Sequence, residues 1–250
     1  MSGAPWLLLR GLSREGRHWA ELPARMAAQG LGPAVLVDLP GCGRHARVPA
    51  PLTVGAMRDF VRAQACAAGL RPPYRLLAMS LGGMVALDWA QQHPGEVAAL
   101  VLINTSMRPY CRVDQRLRPR AWPALLALAA RWPRHAERER LIHALTCRRT
   151  DTLDADLSAW SEIGASAPVS RAAALRQLFA AARFRARPGA PACPVLLLSS
   201  AGDGLVSPRC SERLAGAWRA ELRCHPWAGH DLPHDDPDWL DRTLREAVAR

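Results

Sequence analysis

Short unbroken apolar runs alternate along the first half of the chain with stretches whose apolar positions recur every three or four residues. Trp6-Leu7-Leu8-Leu9, Ala34-Val35-Leu36-Val37, Arg75-Leu76-Leu77-Ala78 and Ala98-Ala99-Leu100-Val101-Leu102-Ile103 have the length and density of buried strands. Between them the period changes. A helix is expected from around Trp19 to Gln29, ended by Gly30, and a second follows Thr53 as N-cap, its stripe Val54, Met57, Val61, Ala65 at helical spacing. Strands separated by helices run parallel, because each crossover returns the chain to the same end of the sheet. From 107 to 191 the alternation stops. Four helices are expected there, around Ala121–Trp132, Ala136–Cys147, Asp154–Gly164 and Arg171–Phe184, punctuated by Pro133, Pro168 and Pro188. Strands return at Val195-Leu196-Leu197-Leu198 and near Ala220–Cys224. Two closing helices start at Ser207-Pro208 and Asp236-Pro237, each an N-cap followed by proline. The chain thus divides into an α/β core, 1–106 with 192–250, and a helical lid, 107–191, expected over the carboxyl ends of the strands.

One junction carries chemistry. Leu76-Leu77-Ala78-Met79-Ser80-Leu81-Gly82-Gly83 is an apolar strand that runs into a serine and then into a helix expected over Leu81 to His93. Small residues two before and two after the serine match a nucleophile elbow, G-x-S-x-G, with Ala78 at the first glycine position. A serine on so tight a strand-to-helix turn brings backbones too close for bulky neighbours. The helix behind it aims its first N–H groups at any anion forming beside Ser80 Oγ.

Composition narrows the classes. The 250 residues suffice for one large domain with a full core, and a hydrophobic fraction of 49% argues against disorder. The net charge is +11, yet all 33 basic residues are arginine and they are dispersed, without aromatic interleaving, which argues against nucleic-acid binding. The seven cysteines are odd in number and form no C-x-x-C pair, so neither a disulfide framework nor a zinc site is expected, and a reducing, cytoplasmic setting is. No apolar run reaches spanning length and no leader pattern opens the chain, so no membrane role is expected. No motif for a metal, nucleotide or flavin is present, and no cofactor is expected.

With the elbow, the loop Asp38-Leu-Pro-Gly-Cys-Gly43 and the late Ala228-Gly-His230 segment, the chain resembles the α/β-hydrolase superfamily over essentially its whole length. It looks closest to small lidded carboxylesterases and acyl-thioester hydrolases, including the pimeloyl-carrier methyl esterases. The resemblance implies a mostly parallel sheet, trimmed here to about six strands because the family's opening hairpin is lacking, with helices on both faces. It implies a triad in the order Ser, acid, His: Ser80 as nucleophile, Asp203 in Ser200-Ala-Gly-Asp203 as acid, His230 as base. Asp231 and Asp38 compete for the acid role. Asn104, where some relatives place their acid, cannot serve as one. The implied oxyanion donors are the backbone N–H groups of Leu12 and Leu81.

That loop is usually His-Gly-x and reads here Arg10-Gly11-Leu12. Arg10, Arg14, Glu15 and His18 are close enough in sequence to cluster, with an Arg10–Glu15 ion pair slightly favoured over substrate contact by Arg10 and Gly11. In the lid, Trp122, Trp132, Trp160 and Phe179 are expected mostly in helix–helix contacts, a minority (Trp122 and Trp160 as candidates) lining an acyl pocket. Arg131, Arg134, Arg138, Arg140, Arg148 and Arg149 are expected on solvated faces, where they also suit an acidic acyl carrier. The function expected is hydrolysis of a carboxylic ester through an acyl-enzyme. A thioesterase or carrier-bound methyl esterase is the near alternative, and a non-catalytic ligand-binding protein the distant one.

Overall fold

The computed structural model describes residues 3–248, so the outer limits of the expected core, at 1 and 250, lie outside the described residues. Six strands, β1 (Trp6–Leu9), β2 (Ala34–Val37), β3 (Tyr74–Met79), β4 (Val97–Ile103), β5 (Val195–Ser200) and β6 (Glu221–His225), form one sheet in the order β2-β1-β3-β4-β5-β6. Every neighbouring pair is parallel, with Leu7 opposite both Val35 and Leu76, and Leu77 opposite Val101.

The two-residue period of a strand divides the core cleanly. Leu7, Leu9, Leu76, Ala78, Leu100 and Leu102 face one side, packed by α2 (Val54–Ala67), α3 (Leu81–Gln92) and, near the sheet's far edge, α9 (Arg209–Trp218). Trp6, Leu8, Leu77, Met79, Val101 and Ile103 face the other, with α1 (Leu22–Ala28) and α11 (Pro237–Val248) against them. The expected stripe Val54, Met57, Val61, Ala65 is the buried face of α2, and Thr53 Oγ1 caps it by accepting from Ala56 N at 3.2 Å. α3 is buried from Leu81 to Ala90, the mark of a helix covered on all sides.

Between β4 and β5 lie α4 (Val113–Arg116), α5 (Trp122–Ala130), α6 (His135–Thr146), α7 (Leu153–Ser166) and α8 (Arg171–Arg183). A short α10 (Leu232–Asp235) precedes α11. Helices α4 and α10 are not among those expected, most other boundaries agree to within about two residues, and two helix starts differ for a local reason. Trp19 belongs to a separate 3-10 turn, Gly16–Trp19, because the chain turns to φ 47° at Ala20 before α1 begins with Pro23 in its first turn. Pro208 is the N-cap of α9 rather than its first residue. At α11 the expected cap holds: Asp236 Oδ1 accepts from Trp239 N at 2.9 Å. Among the described residues no helix is long and apolar enough to cross a membrane.

Candidate active site

The carboxyl ends of β1, β3, β4, β5 and β6 all open on the same edge of the sheet, and the chain places its unusual residues there. Ser80 leaves β3 with φ 53° and ψ −117°, a conformation that L residues avoid. Its backbone is held on both sides: Ser80 N donates to Ile103 O at 2.9 Å, and Thr105 Oγ1 donates to Ser80 O at 2.7 Å. The glycines that follow are steric requirements. A Cβ on Gly82 would sit 2.6 Å from the carbonyl oxygens of Leu9 and Arg10, and one on Gly83 would sit 2.8 Å from the Thr105 side chain. Ser80 stands at the N-cap of α3, yet its side chain makes no cap hydrogen bond, so the hydroxyl is not spent on the helix.

Asp203 and His230, which follow β5 and β6, are almost fully buried, and His230 Nδ1 lies 2.7 Å from Asp203 Oδ2. A carboxylate only accepts, so this contact puts the ring proton on Nδ1 and leaves Nε2 as the acceptor of the neutral ring. The other carboxylate oxygen is fixed by two backbone donors, Leu205 N at 2.7 Å and Val206 N at 2.9 Å. Of the competing carboxylates, Asp38 ties the loop after β2 to the segment after β1 by accepting from Arg44 N and Gly16 N. Asp231 is taken by Arg10.

That last contact corrects the expected Arg10–Glu15 pair. Glu15 pairs instead with Arg17, at 2.6 Å. The Arg10 guanidinium reaches across 221 positions to both oxygens of Asp231, at 3.1 and 2.5 Å, stacked 4.9 Å from the Trp19 ring. Burial by itself raises the Asp231 carboxyl, but the charge and hydrogen bonds of Arg10 outweigh it and hold the group below the ordinary carboxylate value. Arg14 does meet His18 of the expected cluster, its Nη1 2.9 Å from the ring Nε2, and pairs with Glu139 outside it at 2.6 Å.

Ser80 and His230 line one cavity of about 360 Å³ together with Arg10, Gly11, Leu12 and Leu81. Its remaining wall is mainly aliphatic and comes largely from α5 and α8, with Leu125, Leu128, Leu175 and Leu178 prominent. Trp122 and Trp160 do not line it. Trp122 is 51% exposed at the start of α5, and Trp160 is buried among the rings of His18, His143 and His234. Trp132 does reach the cavity. The leucine pairs at i, i+3 spacing on α5 and α8 were the sequence signal for the wall. Among the arginines expected on solvated faces, Arg138 is buried, paired with Glu139 and stacked on Trp132.

Asn104, unable to act as an acid, has a structural part that sequence reading missed. At φ 46° after β4, its Nδ2 donates to His230 O at 2.8 Å and to Ser200 Oγ at 2.9 Å, joining the loops that carry His230 and Asp203.

Comparison with known proteins agrees with this architecture. The alpha/beta hydrolase family profile matches residues 6–243. The putative carbamate hydrolase RutD of Klebsiella pneumoniae (strain 342) is 30% identical over 263 residues, covering 99% of this chain and 92% of that protein. A pimeloyl-[acyl-carrier protein] methyl ester esterase of Chromobacterium violaceum is 30% identical over 128 residues, 51% of this chain and 44% of that one. An esterase structure from Exiguobacterium antarcticum superposes with a TM-score of 0.79 at 17% identity, covering 100% of this chain and 93% of that chain, a likeness of fold. The chain belongs to the alpha/beta hydrolase family.

Proposed function

We propose that this enzyme cleaves carboxylic esters of extended apolar acyl groups through a covalent acyl-enzyme on Ser80. The observation that carries the reading is the shared cavity: Ser80 and His230 open onto one mainly aliphatic space, and His230 is backed by a buried Asp203. Ser80 Oγ attacks the carbonyl carbon while His230 Nε2 takes its proton, and the same ring returns that proton to the departing alkoxide. Water then repeats the sequence on the acyl-enzyme, releasing the acid. Asp203 holds the tautomer and stabilises the imidazolium. The oxyanion is received by the N–H groups of Leu12 and Leu81. Leu81 is the first residue of α3, where an N–H has no partner within the helix.

Attack on a carbamate or a thioester would use the same groups, and relatives bear the names of a carbamate hydrolase and a carrier methyl esterase. The leucine-rich wall favours a long acyl chain over a small carbamate, since buried apolar surface rewards each added methylene by roughly 0.8 kcal/mol. One feature supports an anionic or carrier-borne substrate: Arg116 and Arg171 line the cavity, and among the described residues Arg116 donates to the carbonyls of Ala181 and Ala182 and pairs with no carboxylate. A panel of p-nitrophenyl esters of rising chain length, run beside acyl-CoA thioesters and a small carbamate, tests the reading. Rising kcat/KM with chain length supports it. A preference for the carbamate, with long esters untouched, overturns it.

A further inference from the structure

We propose that His143, Cys147 and His234, with Asp156 as fourth ligand, form a binding site for a zinc-class divalent ion. The site joins the helices between β4 and β5 to the loop that carries His230. It lies outside the cavity that holds Ser80, and it stands or falls independently of the ester reading.

His143 and Cys147 sit one turn apart at the end of α6, a spacing that sets both side chains on one face. His234 arrives from α10, and donor atoms of the three lie within 4.8 Å of one another. Around tetrahedral zinc, bonds of 2.0–2.3 Å put neighbouring donors about 3.3–3.8 Å apart, so side-chain shifts of about 1 Å bring these three donors to bonding positions. Asp156 Oδ2, from α7, is 3.1 Å from His234 Nε2 and 3.7 Å from His143 Nε2.

A second observation points to a ligand. His143 is 2% exposed and its Nε2 has no hydrogen-bond partner, whereas buried polar atoms are nearly always satisfied. An ordinary core histidine would bond the nearby carboxylate, but 3.7 Å is too long for that. Two imidazoles, a thiol and a carboxylate make a borderline-soft donor set, suited to zinc and unlike the all-oxygen shells of calcium or magnesium. Trp160 packs against both imidazole rings and fixes their orientation. His234 and Asp156 remain partly exposed, which gives an ion a way in. Burial pushes the Cys147 thiol up, so the ion enters by displacing that proton to solvent. Paired-cysteine spacing could not have revealed this site, because its ligands come from three separate elements.

The test uses tag-free full-length protein, stripped with a chelator and titrated with Co²⁺ and then Zn²⁺. One equivalent of Co²⁺ should give visible bands of a tetrahedral site and a near-ultraviolet thiolate charge-transfer band, both erased by Zn²⁺, and Zn²⁺ should raise Tm. Cys147→Ser should lose the charge-transfer band. His143→Gln and His234→Gln should each weaken binding by 10-fold or more, while Cys66→Ser, altered at an exposed cysteine elsewhere, should match wild type. Circular dichroism of the metal-free variants establishes that they fold. The wild-type titration alone can overturn the proposal, by showing no stoichiometric binding or no charge-transfer band. An unchanged band in folded Cys147→Ser would overturn it equally.

Discussion

Arg10 and Asp231 form a buried two-point ion pair that ties the loop after β1 to the residue next to His230. Leu12, a proposed oxyanion donor, and His230, the proposed base, are therefore positioned by one contact. Arg10→Met should leave a buried carboxylate without its partner and destabilise the fold by about 3–5 kcal/mol, read by chemical denaturation. Arg10→Met combined with Asp231→Leu should recover part of the loss, because no isolated charge remains. A double variant as unstable as the sum of the singles would show that the two residues act separately.

Gly82→Ala should lower hydrolysis at least about 10-fold while the sheet remains folded, which steady-state kinetics and circular dichroism would report. The added Cβ would lie 2.6 Å from the carbonyl oxygens of Leu9 and Arg10, forcing apart the two loops that would supply the oxyanion donors. Unchanged kcat would argue that these backbones can separate without consequence.

Chain-length preference should yield to bulk in the cavity wall. Leu128→Trp should cut kcat/KM for long-chain p-nitrophenyl esters and leave the shortest esters little affected, since Leu128 lines the cavity. Trp122→Ala should alter neither, because Trp122 is exposed and outside the cavity.

Stability should fall as the pH drops below about 6.5. His18 is held below the usual histidine value by burial and then by the charges of Arg14 and Arg10, and His143 by burial and then by His234. An unfolded chain takes up these protons near 6.5 while the folded one refuses them, so stability is full above that pH and is lost as the pH drops below it. His18→Gln should flatten part of the slope in urea denaturation run on both sides of that pH. An identical slope in the variant would assign the acid sensitivity elsewhere.

Local order was largely legible in the sequence because it rests on periodicity. The parallel strands, the α2 stripe and the run from β3 through Ser80 into α3 each follow from residues close together in the chain. What could not be read depends on distance. Arg10 had an acid five positions away, and it bonds one 221 positions away because β1 and the β6 loop converge at one edge of the sheet. Trp160 and Arg138 carry the side chains of a pocket wall and a solvated face, but the packing of α6 against α7 buries both. Asn104 looked like a lost acid. Its amide is needed instead to hold two loops by their carbonyl and hydroxyl oxygens.

The central claim, that Ser80 is a nucleophile activated by His230, is tested most directly by labelling with a fluorophosphonate and mapping the adduct by peptide mass spectrometry. Wild type should carry one adduct, on Ser80. Ser80→Ala should carry none and lose nearly all ester hydrolysis, and His230→Ala should label far more slowly, because a hydroxyl without its base is a weak nucleophile. An adduct on another residue, or substantial turnover by folded Ser80→Ala, would contradict the account.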